Sequence, residues 1–289
     1  TATVLLGTER LAMDEGQLIR LLDKYADLLR AYPYAETITL PEGSGRDWIA
    51  YCENMGLITR QPQKLGDIIA LEGSNAILMT YYRNNIQHLF ALPALIASLF
   101  ENKASLSREK IVFLTGVAYP YLQSELFLQY DQEKVDAVIN QWIDVLVDQG
   151  LLIRLDDERL GRPEEGTEAM LRSRILSRFI IQTLERYHIT LGILRKYGSG
   201  NLTAAELEEQ STLLAERMSI LFGLNAPEFF DKTLFRNFIA NMQKNGVLTT
   251  DEDGRLCYGE GLDEVAEDAR LVLSVEKRQA IQQVTMLDA

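Results

Sequence analysis

The chain repeats one pattern three times: apolar residues at helical spacing, then a glycine, then a short apolar segment. The glycines are Gly56, Gly150 and Gly246, which lie 94 and 96 residues apart. An aromatic residue stands eight positions before each glycine, and an isoleucine follows it: Trp48-Ile49, Trp142-Ile143 and Phe238-Ile239. This spacing predicts one buried helix face in each repeat. The glycine supplies the left-handed residue that commonly ends such a helix.

Each repeat also begins with a helix-capping residue. Asp14, Ser107 and Thr203 lie 42, 43 and 43 residues before their glycines. A short side-chain oxygen at this position accepts a hydrogen bond from a free backbone N–H of the first turn. Thr203 with Glu206 forms a capping-box pattern, and Asp14 with Gln17 resembles one. These residues therefore predict where the first helix of each repeat starts.

Short apolar segments after the glycines predict β-hairpins, because turn residues such as Asp253-Gly254 separate them. The segments are 57–60 and 67–71, 151–155, and 247–249 with 255–258. The predicted fold is therefore mainly α with small β-hairpins. It consists of three tandem helix-helix-hairpin units, each winged-helix-like in outline, joined by connecting helices.

Connecting helices complete the predicted domain organisation. They are expected at about 81–100 and 167–197, with a final helix at about 262–283. Residues 1–11 are expected to be the end of an upstream connecting helix, so that the chain continues an upstream domain. The predicted divisions are 1–11, unit 1 with its connecting helix at 12–103, unit 2 with its connecting helix at 104–200, and unit 3 with the C-terminal helix at 201–289. Whether the units form one compact body is left open.

The charge balance bears on the class of partner. The chain has 29 Lys and Arg against 42 Asp and Glu, a formal net charge of −13. Winged-helix proteins that read DNA need basic or amide side chains on the recognition helix. The corresponding segment of unit 2, residues 131–149, carries five acidic residues and one lysine. Nucleic acid is therefore disfavoured as a partner, whereas a protein-interaction adaptor is compatible with this charge.

The chain offers little material for a membrane span or a metal site. Its longest uncharged apolar stretch, residues 86–100, contains Pro93 and is shorter than the roughly 20 residues that a span requires. A buried helix is the favoured interpretation of this stretch. The two cysteines and two histidines form no cluster with ligand spacing, so no metal or cofactor is predicted.

Motifs of acyl-transfer and hydrolytic chemistry are missing from the sequence. It has no GxSxG elbow, no HExxH pair and no phosphate-binding glycine loop. A His-x4-Asp pair would place a general base beside the carboxylate that orients it. The residue five positions after His88 is Pro93, and the residue five positions after His188 is Ile193. No catalytic residue is therefore predicted.

A polar run at residues 81–85, followed by His88, contains the candidates for substrate contact. These candidates are Arg83, Asn84, Asn85 and His88. On a helix Asn84 and His88 share a face, and Arg83 has the geometry to bind a phosphate or carboxylate through two hydrogen bonds. The alternative is structural: the same groups tie the helix to its neighbours through buried hydrogen bonds.

Three stretches of the sequence carry a family resemblance. They are residues 77–86 (ILMTYYRNNI), residues 119–122 with 124–128 (YPYL and SELFL), and residues 224–232 (LNAPEFFDK). In these stretches, and from about Leu11 to the final helix, the chain resembles the C-terminal region of bacterial membrane-bound glycerol-3-phosphate 1-O-acyltransferases.

The resemblance implies a parent enzyme that transfers a fatty acyl group from acyl-CoA or acyl carrier protein to the sn-1 hydroxyl of glycerol 3-phosphate. This reaction is the first step of phospholipid synthesis, at the cytoplasmic face of the bacterial inner membrane. In that family the His-x4-Asp and phosphate-binding arginine motifs lie in an upstream domain, and they have no matching position here. The resemblance therefore implies a non-catalytic, soluble C-terminal module.

Such a module would have the upstream acyltransferase domain of the same protein as its partner. It would meet the substrates, and peripherally the membrane, only through the parent enzyme. The alternative is a stand-alone protein-interaction adaptor built from three winged-helix-like units.

Overall fold

A computed structural model describes residues 1–8, 10–156, 158–222 and 227–286. The α-helices are α1 Ala2–Leu6, α2 Glu15–Ala31, α3 Gly45–Asn54, α4 Ser74–Ser98, α5 Arg108–Leu126, α6 Gln132–Asp148, α7 Glu168–Ser177, α8 Ile181–Tyr197, α9 Ala204–Phe222, α10 Lys232–Lys244, α11 Glu260–Val272 and α12 Val275–Met286. A 3₁₀ turn spans Pro227–Phe230. The strands are β1 Ala12–Asp14, β2 Thr59–Gln61, β3 Ile68–Ala70, β4 Ser105–Ser107, β5 Ile153–Arg154, β6 Arg159–Gly161, β7 Thr249–Thr250 and β8 Leu256–Cys257. The predicted mainly helical fold with small hairpins is confirmed.

The small sheets contain strands that the sequence did not indicate. In strand order they are β1-β3-β2, β4-β6-β5 and β7-β8, and all the pairings are antiparallel. β1 and β4 precede the first helix of their repeats and pair with the second hairpin strand. Thr203 makes the corresponding single bridge, to Arg255. Three-residue strands are too short to show an alternating pattern, which is why β1 and β4 were missed. The winged-helix-like interpretation and the domain boundaries stay predictions.

The three glycines end their helices as predicted. Gly56, Gly150 and Gly246 have φ angles of 68°, 67° and 74°, in the left-handed region that favours glycine. The N–H that follows each glycine donates to the carbonyl five residues earlier, at 2.8–3.0 Å: Leu57 to Cys52, Leu151 to Leu146, and Val247 to Met242. This is the Schellman arrangement, which satisfies a free carbonyl of the last helical turn.

The predicted caps are also present. Asp14 accepts from the Gln17 N–H at 2.9 Å, and Ser107 accepts from the Lys110 N–H at 3.2 Å. Thr203 and Glu206 form the reciprocal capping box, with the Thr203 N–H donating to the Glu206 carboxylate at 2.8 Å. Local side-chain chemistry was therefore sufficient to predict where the first helix of each repeat starts.

The connecting helices differ from the prediction in their limits. The first begins at Ser74, seven residues before the expected start, directly after Gly73, whose φ is 54°. The N-terminal helix covers only Ala2–Leu6 of the 1–11 segment expected to be helical.

The second connecting segment was expected to be one helix over 167–197, but it consists of α7 and α8. The chain breaks around Phe179, which packs edge-on against Tyr25 and Phe90 with both ring centroids at 5.1 Å. The carbonyl of Phe179 accepts a hydrogen bond from the Gln87 side chain at 2.9 Å instead of a helical N–H. Tertiary packing therefore outweighs local helix propensity at this point.

The C-terminal segment, expected to be one helix over 262–283, also divides into two, α11 and α12. Asn102 donates from its side-chain amide to the carbonyls of Leu271 and Leu273, at 3.0 and 2.5 Å. Because a distant residue satisfies these carbonyls, the helix can end without the usual glycine.

Helix α4 forms the centre of the molecule. Every residue from Leu89 to Ser98 is buried, and α4 contacts α1, α5, α6, α7 and α11. The interpretation of the apolar stretch as a buried helix is confirmed for Leu89 to Ser98, whereas Ile86 at its start is exposed. Among the described residues, no helix combines the length and hydropathy needed to cross a bilayer.

Candidate functional site

A polar cavity of about 550 Å³ lies where α4, α5, α8 and the 3₁₀ turn meet. It is lined mainly by charged and amide side chains, which helical spacing places on one face of α4 and opposite α8. The polar lining residues are Arg83, Asn84, Gln87, His88, Glu125, Gln182, Thr183, Arg186, Glu228 and Asp231. Residues of unit 1's connecting helix thus meet residues of the second and third repeats here.

Arg186 and Glu125 form the most buried ion pair of the cavity, with side chains only 5% and 9% exposed. The Glu125 carboxylate also accepts from the Thr183 hydroxyl at 2.9 Å and from the Tyr187 hydroxyl at 3.0 Å. Burial, reinforced by the charge of Glu125, raises the pKa of Tyr187 well above its usual value, which keeps the phenol as a donor. The carboxylate is therefore held by three separate donors.

A second ion pair joins the buried Arg83 to the partly exposed Glu228 of the 3₁₀ turn. Arg83 also donates to the side-chain oxygen of Asn84, at 3.2 Å from Nε and 3.1 Å from Nη2. Burial lowers the pKa of Arg83, Glu228 opposes this effect, and the neighbouring Arg186 adds to it. The two arginines thus lie close enough to repel, and each is matched by its own carboxylate.

Three of the four substrate-contact candidates line this cavity. Arg83 is buried, while Asn84 and His88 are partly exposed on the same face, as helical spacing predicted. The His88 ring packs edge-on against Tyr34, with centroids 5.2 Å apart, and burial lowers the pKa of His88. Asn85 is exposed and is not part of the lining. A substrate-contact role for these residues stays a prediction.

The three stretches that carry the resemblance converge at the cavity. The first supplies Arg83, the second Glu125 and the third Glu228. Residues 224–226 of the third stretch lie outside the described residues; in the remainder, Phe229 is buried and Asp231 caps α10 through the Thr233 N–H at 2.8 Å. Sequence reasoning did not select Glu125 or Glu228 as site residues, although both lie inside those stretches.

Arg186 was also missed, and it lies outside the three stretches. The sequence indicated Arg186 only through its position next to Glu185 in the α8 segment. Apolar residues of this segment occur on more than one face of the helix. A charged residue in such a helix is expected to have a buried partner.

Among the residues that the structure describes, neither histidine is paired with an acid. Within the described parts of the chain, no hydrogen bond joins His88 or His188 to a carboxylate, and no group of His, Cys, Asp and Glu is suited to hold a metal ion. His188 Nδ1 is buried without a partner. Burial, together with Arg278, Arg270 and Arg195, lowers the pKa of His188 to about 4.

His188 is expected to make stability depend on pH. The pKa of His188 in the folded protein is about 4, below its ordinary value of 6.5. Between these pH values the unfolded chain binds more protons than the folded protein. The free energy of unfolding therefore falls as the pH drops from 6.5 towards 4. Between pH 7 and pH 5 we expect a loss of about 2 kcal/mol that His188→Gln abolishes. Urea unfolding of both proteins at the two pH values measures this. An unchanged pH slope in His188→Gln would contradict the prediction. The pKa of His88 is also lowered by burial, but that side chain is less buried, so His88→Gln is expected to change the slope less than His188→Gln.

Comparison with known protein families shows which family the chain belongs to. The family model described as "Glycerol-3-phosphate acyltransferase C-terminal region" matches residues 1–251. The chain belongs to this family. Relatives of this acyltransferase C-terminal region include the glycerol-3-phosphate acyltransferases of Pseudomonas fluorescens, at 47% identity, and of Pseudomonas paraeruginosa and Ectopseudomonas mendocina, each at 46%. Each comparison covers 99% of this chain but 34% of the relative, so the chain spans about a third of the length of these proteins.

Proposed function

We propose that this chain is the non-catalytic C-terminal module of a glycerol-3-phosphate acyltransferase. The parent enzyme would transfer an acyl group from acyl-CoA or acyl carrier protein to the sn-1 hydroxyl of glycerol 3-phosphate, the first step of phospholipid synthesis. It would do so at the cytoplasmic face of the bacterial inner membrane, through an upstream domain. The family match and the names of relatives about three times as long support this proposal.

The role of the module itself is inferred from one observation: the three family stretches converge on two ion pairs with buried arginines. Arg83 is matched by Glu228 and Arg186 by Glu125, and these pairs link α4, α8, α5 and the 3₁₀ turn. A substrate anion entering here would have to displace the carboxylate that is paired with a buried arginine, and breaking such a pair is unfavourable. The cluster is therefore suited to hold helices in fixed positions.

A rigid body of this kind supports a neighbouring domain. The module would pack on the upstream acyltransferase domain, stabilise it and shape its acyl or glycerol-phosphate site. Direct substrate contact by Arg83, Asn84, Asn85 or His88 is the subordinate form of the proposal.

The test compares three proteins in one assay with palmitoyl-CoA and glycerol 3-phosphate: the full-length parent, the parent lacking the region that begins at Thr1, and this chain alone. We expect turnover by the full-length protein, loss of turnover in the shortened parent, and none by the isolated chain. Turnover by the isolated chain would overturn the non-catalytic role. Full activity of the shortened parent would overturn the supporting role and favour the adaptor alternative.

A further inference from the structure

One face of the molecule carries large apolar side chains that the described residues leave open to solvent. Tyr51 of α3 and Met55, which directly follows α3, are 65% and 49% exposed, and Tyr82 and Ile86 of α4 are 44% and 39% exposed. These four residues line one groove of about 770 Å³, whose floor includes Met79. Exposed apolar side chains that line one groove are a common feature of surfaces where another molecule or segment binds.

The start of the chain lies at the same groove. Thr1, Ala2 and Thr3 form part of its wall, and the helix they begin, α1, packs against α4. The matched family model is a C-terminal region, and the relatives contain about twice as much sequence again outside the matched part. A segment that joins this region from the upstream side would therefore reach Thr1 at the groove.

We infer that the groove binds the segment immediately preceding Thr1 in the full-length acyltransferase, through an apolar helical face that continues α1. The inference rests on the proposed function and names the surface by which the module meets its upstream domain. Covalent attachment gives that segment a high effective concentration at the groove, an advantage that a separate partner lacks.

The charges at the rim agree with a protein segment as the occupant. Glu42 and Asp47 line the groove beside the apolar residues. Asp47 is bound to the backbone and hydroxyl of Ser44, both at 2.8 Å, and is therefore fixed in place. Acidic groups at the rim repel the anionic lipid headgroups of a membrane surface.

Site-specific photo-cross-linking in the full-length protein tests the inference. The photoreactive residue p-benzoylphenylalanine replaces Met55 in one protein and Leu213 in the control, because Leu213 of α9 is 51% exposed and lies outside the groove. After irradiation and proteolysis, mass spectrometry identifies the linked peptides. We expect an intramolecular link from position 55 to residues preceding Thr1, and no such link from position 213. A link from position 55 to a second copy, to lipid or to another protein, or no link at all, would overturn the inference.

A charge introduced in the groove supplies a second measurement. Tyr51→Glu in the full-length protein is expected to abolish the cross-link from position 55, because a carboxylate would be buried against the apolar segment. Leu213→Glu is expected to leave the cross-link unchanged. A cross-link from position 55 that persists in Tyr51→Glu would show that apolar contact in the groove does not hold the segment, and would overturn the inference.

These outcomes separate the two proposals. If the expected cross-link is absent while removal of the region still abolishes turnover, the supporting role stands and the groove is the wrong surface. Turnover by the isolated chain refutes the proposed function whatever the cross-links show.

Discussion

Methionine in place of Arg186 is expected to lower the free energy of unfolding by about 3–5 kcal/mol, because it leaves a buried carboxylate without its charge partner. Of the donors among the described residues, Glu125 would retain the hydroxyls of Thr183 and Tyr187. Chemical denaturation followed by circular dichroism measures the loss. The double variant Arg186→Met, Glu125→Leu removes both charges and should recover much of the stability, since a well-packed apolar pair replaces a buried ion pair at little cost.

The matched control is an exposed pair. Arg20 lies 3.5 Å from Glu168, with side chains about half exposed. Arg20→Met should change stability by no more than about 1 kcal/mol. Equal losses in Arg186→Met and Arg20→Met would show that the cavity pair does not hold the helices together.

Arg83→Met extends the test to the candidate substrate contact. If Arg83 is structural, this variant of the full-length enzyme loses thermal stability while its KM for glycerol 3-phosphate stays the same. A raised KM with unchanged stability would instead support direct contact with substrate. We expect the first result, because Arg83 is buried and paired with Glu228.

Alanine in place of Trp142 is expected to cost about 3–5 kcal/mol of stability, the range for removing a large aromatic side chain from a packed core. Trp142 is 1% exposed, and its ring packs edge-on against Tyr32 with centroids 5.1 Å apart. The thermal midpoint and the free energy of unfolding both report the loss.

The control for Trp142 is the corresponding residue of the first repeat, Trp48. It is only partly buried, and its indole N–H donates to the Glu42 carbonyl at 2.9 Å. Trp48→Ala is therefore expected to cost about 1 kcal/mol. If Trp48→Ala were as damaging as Trp142→Ala, position in the repeat, rather than burial, would set the cost.

The two tryptophans show that the repeat pattern predicts position in a helix but not the depth of burial. The sequence placed Trp48 and Trp142 at the same position of a helix, and both lie in the second helix of their repeats. How deeply each is buried depends on what packs above it. For Trp142 this includes Tyr32, which is more than 100 residues away in the chain.

The capped helix starts and the glycine-ended helices of the three repeats were determined by the sequence alone. Gly246 ends α10, and Thr203 with Glu206 starts α9, because both devices use hydrogen bonds between residues a few positions apart. These hydrogen bonds form between residues that are close in sequence, so they do not depend on how the rest of the chain packs.

The tertiary structure alone decided the break at Phe179, the added strands β1 and β4, and the membership of the polar cavity. Arg186 and Glu125 are 61 residues apart, and Arg83 and Glu228 are 145 apart. A single sequence carries no signal for pairing at such separations, because helical periodicity relates only residues within a few turns of each other. The pairs exist because packing of the surrounding apolar faces brings the four side chains into one low-dielectric space, where each charge requires a partner.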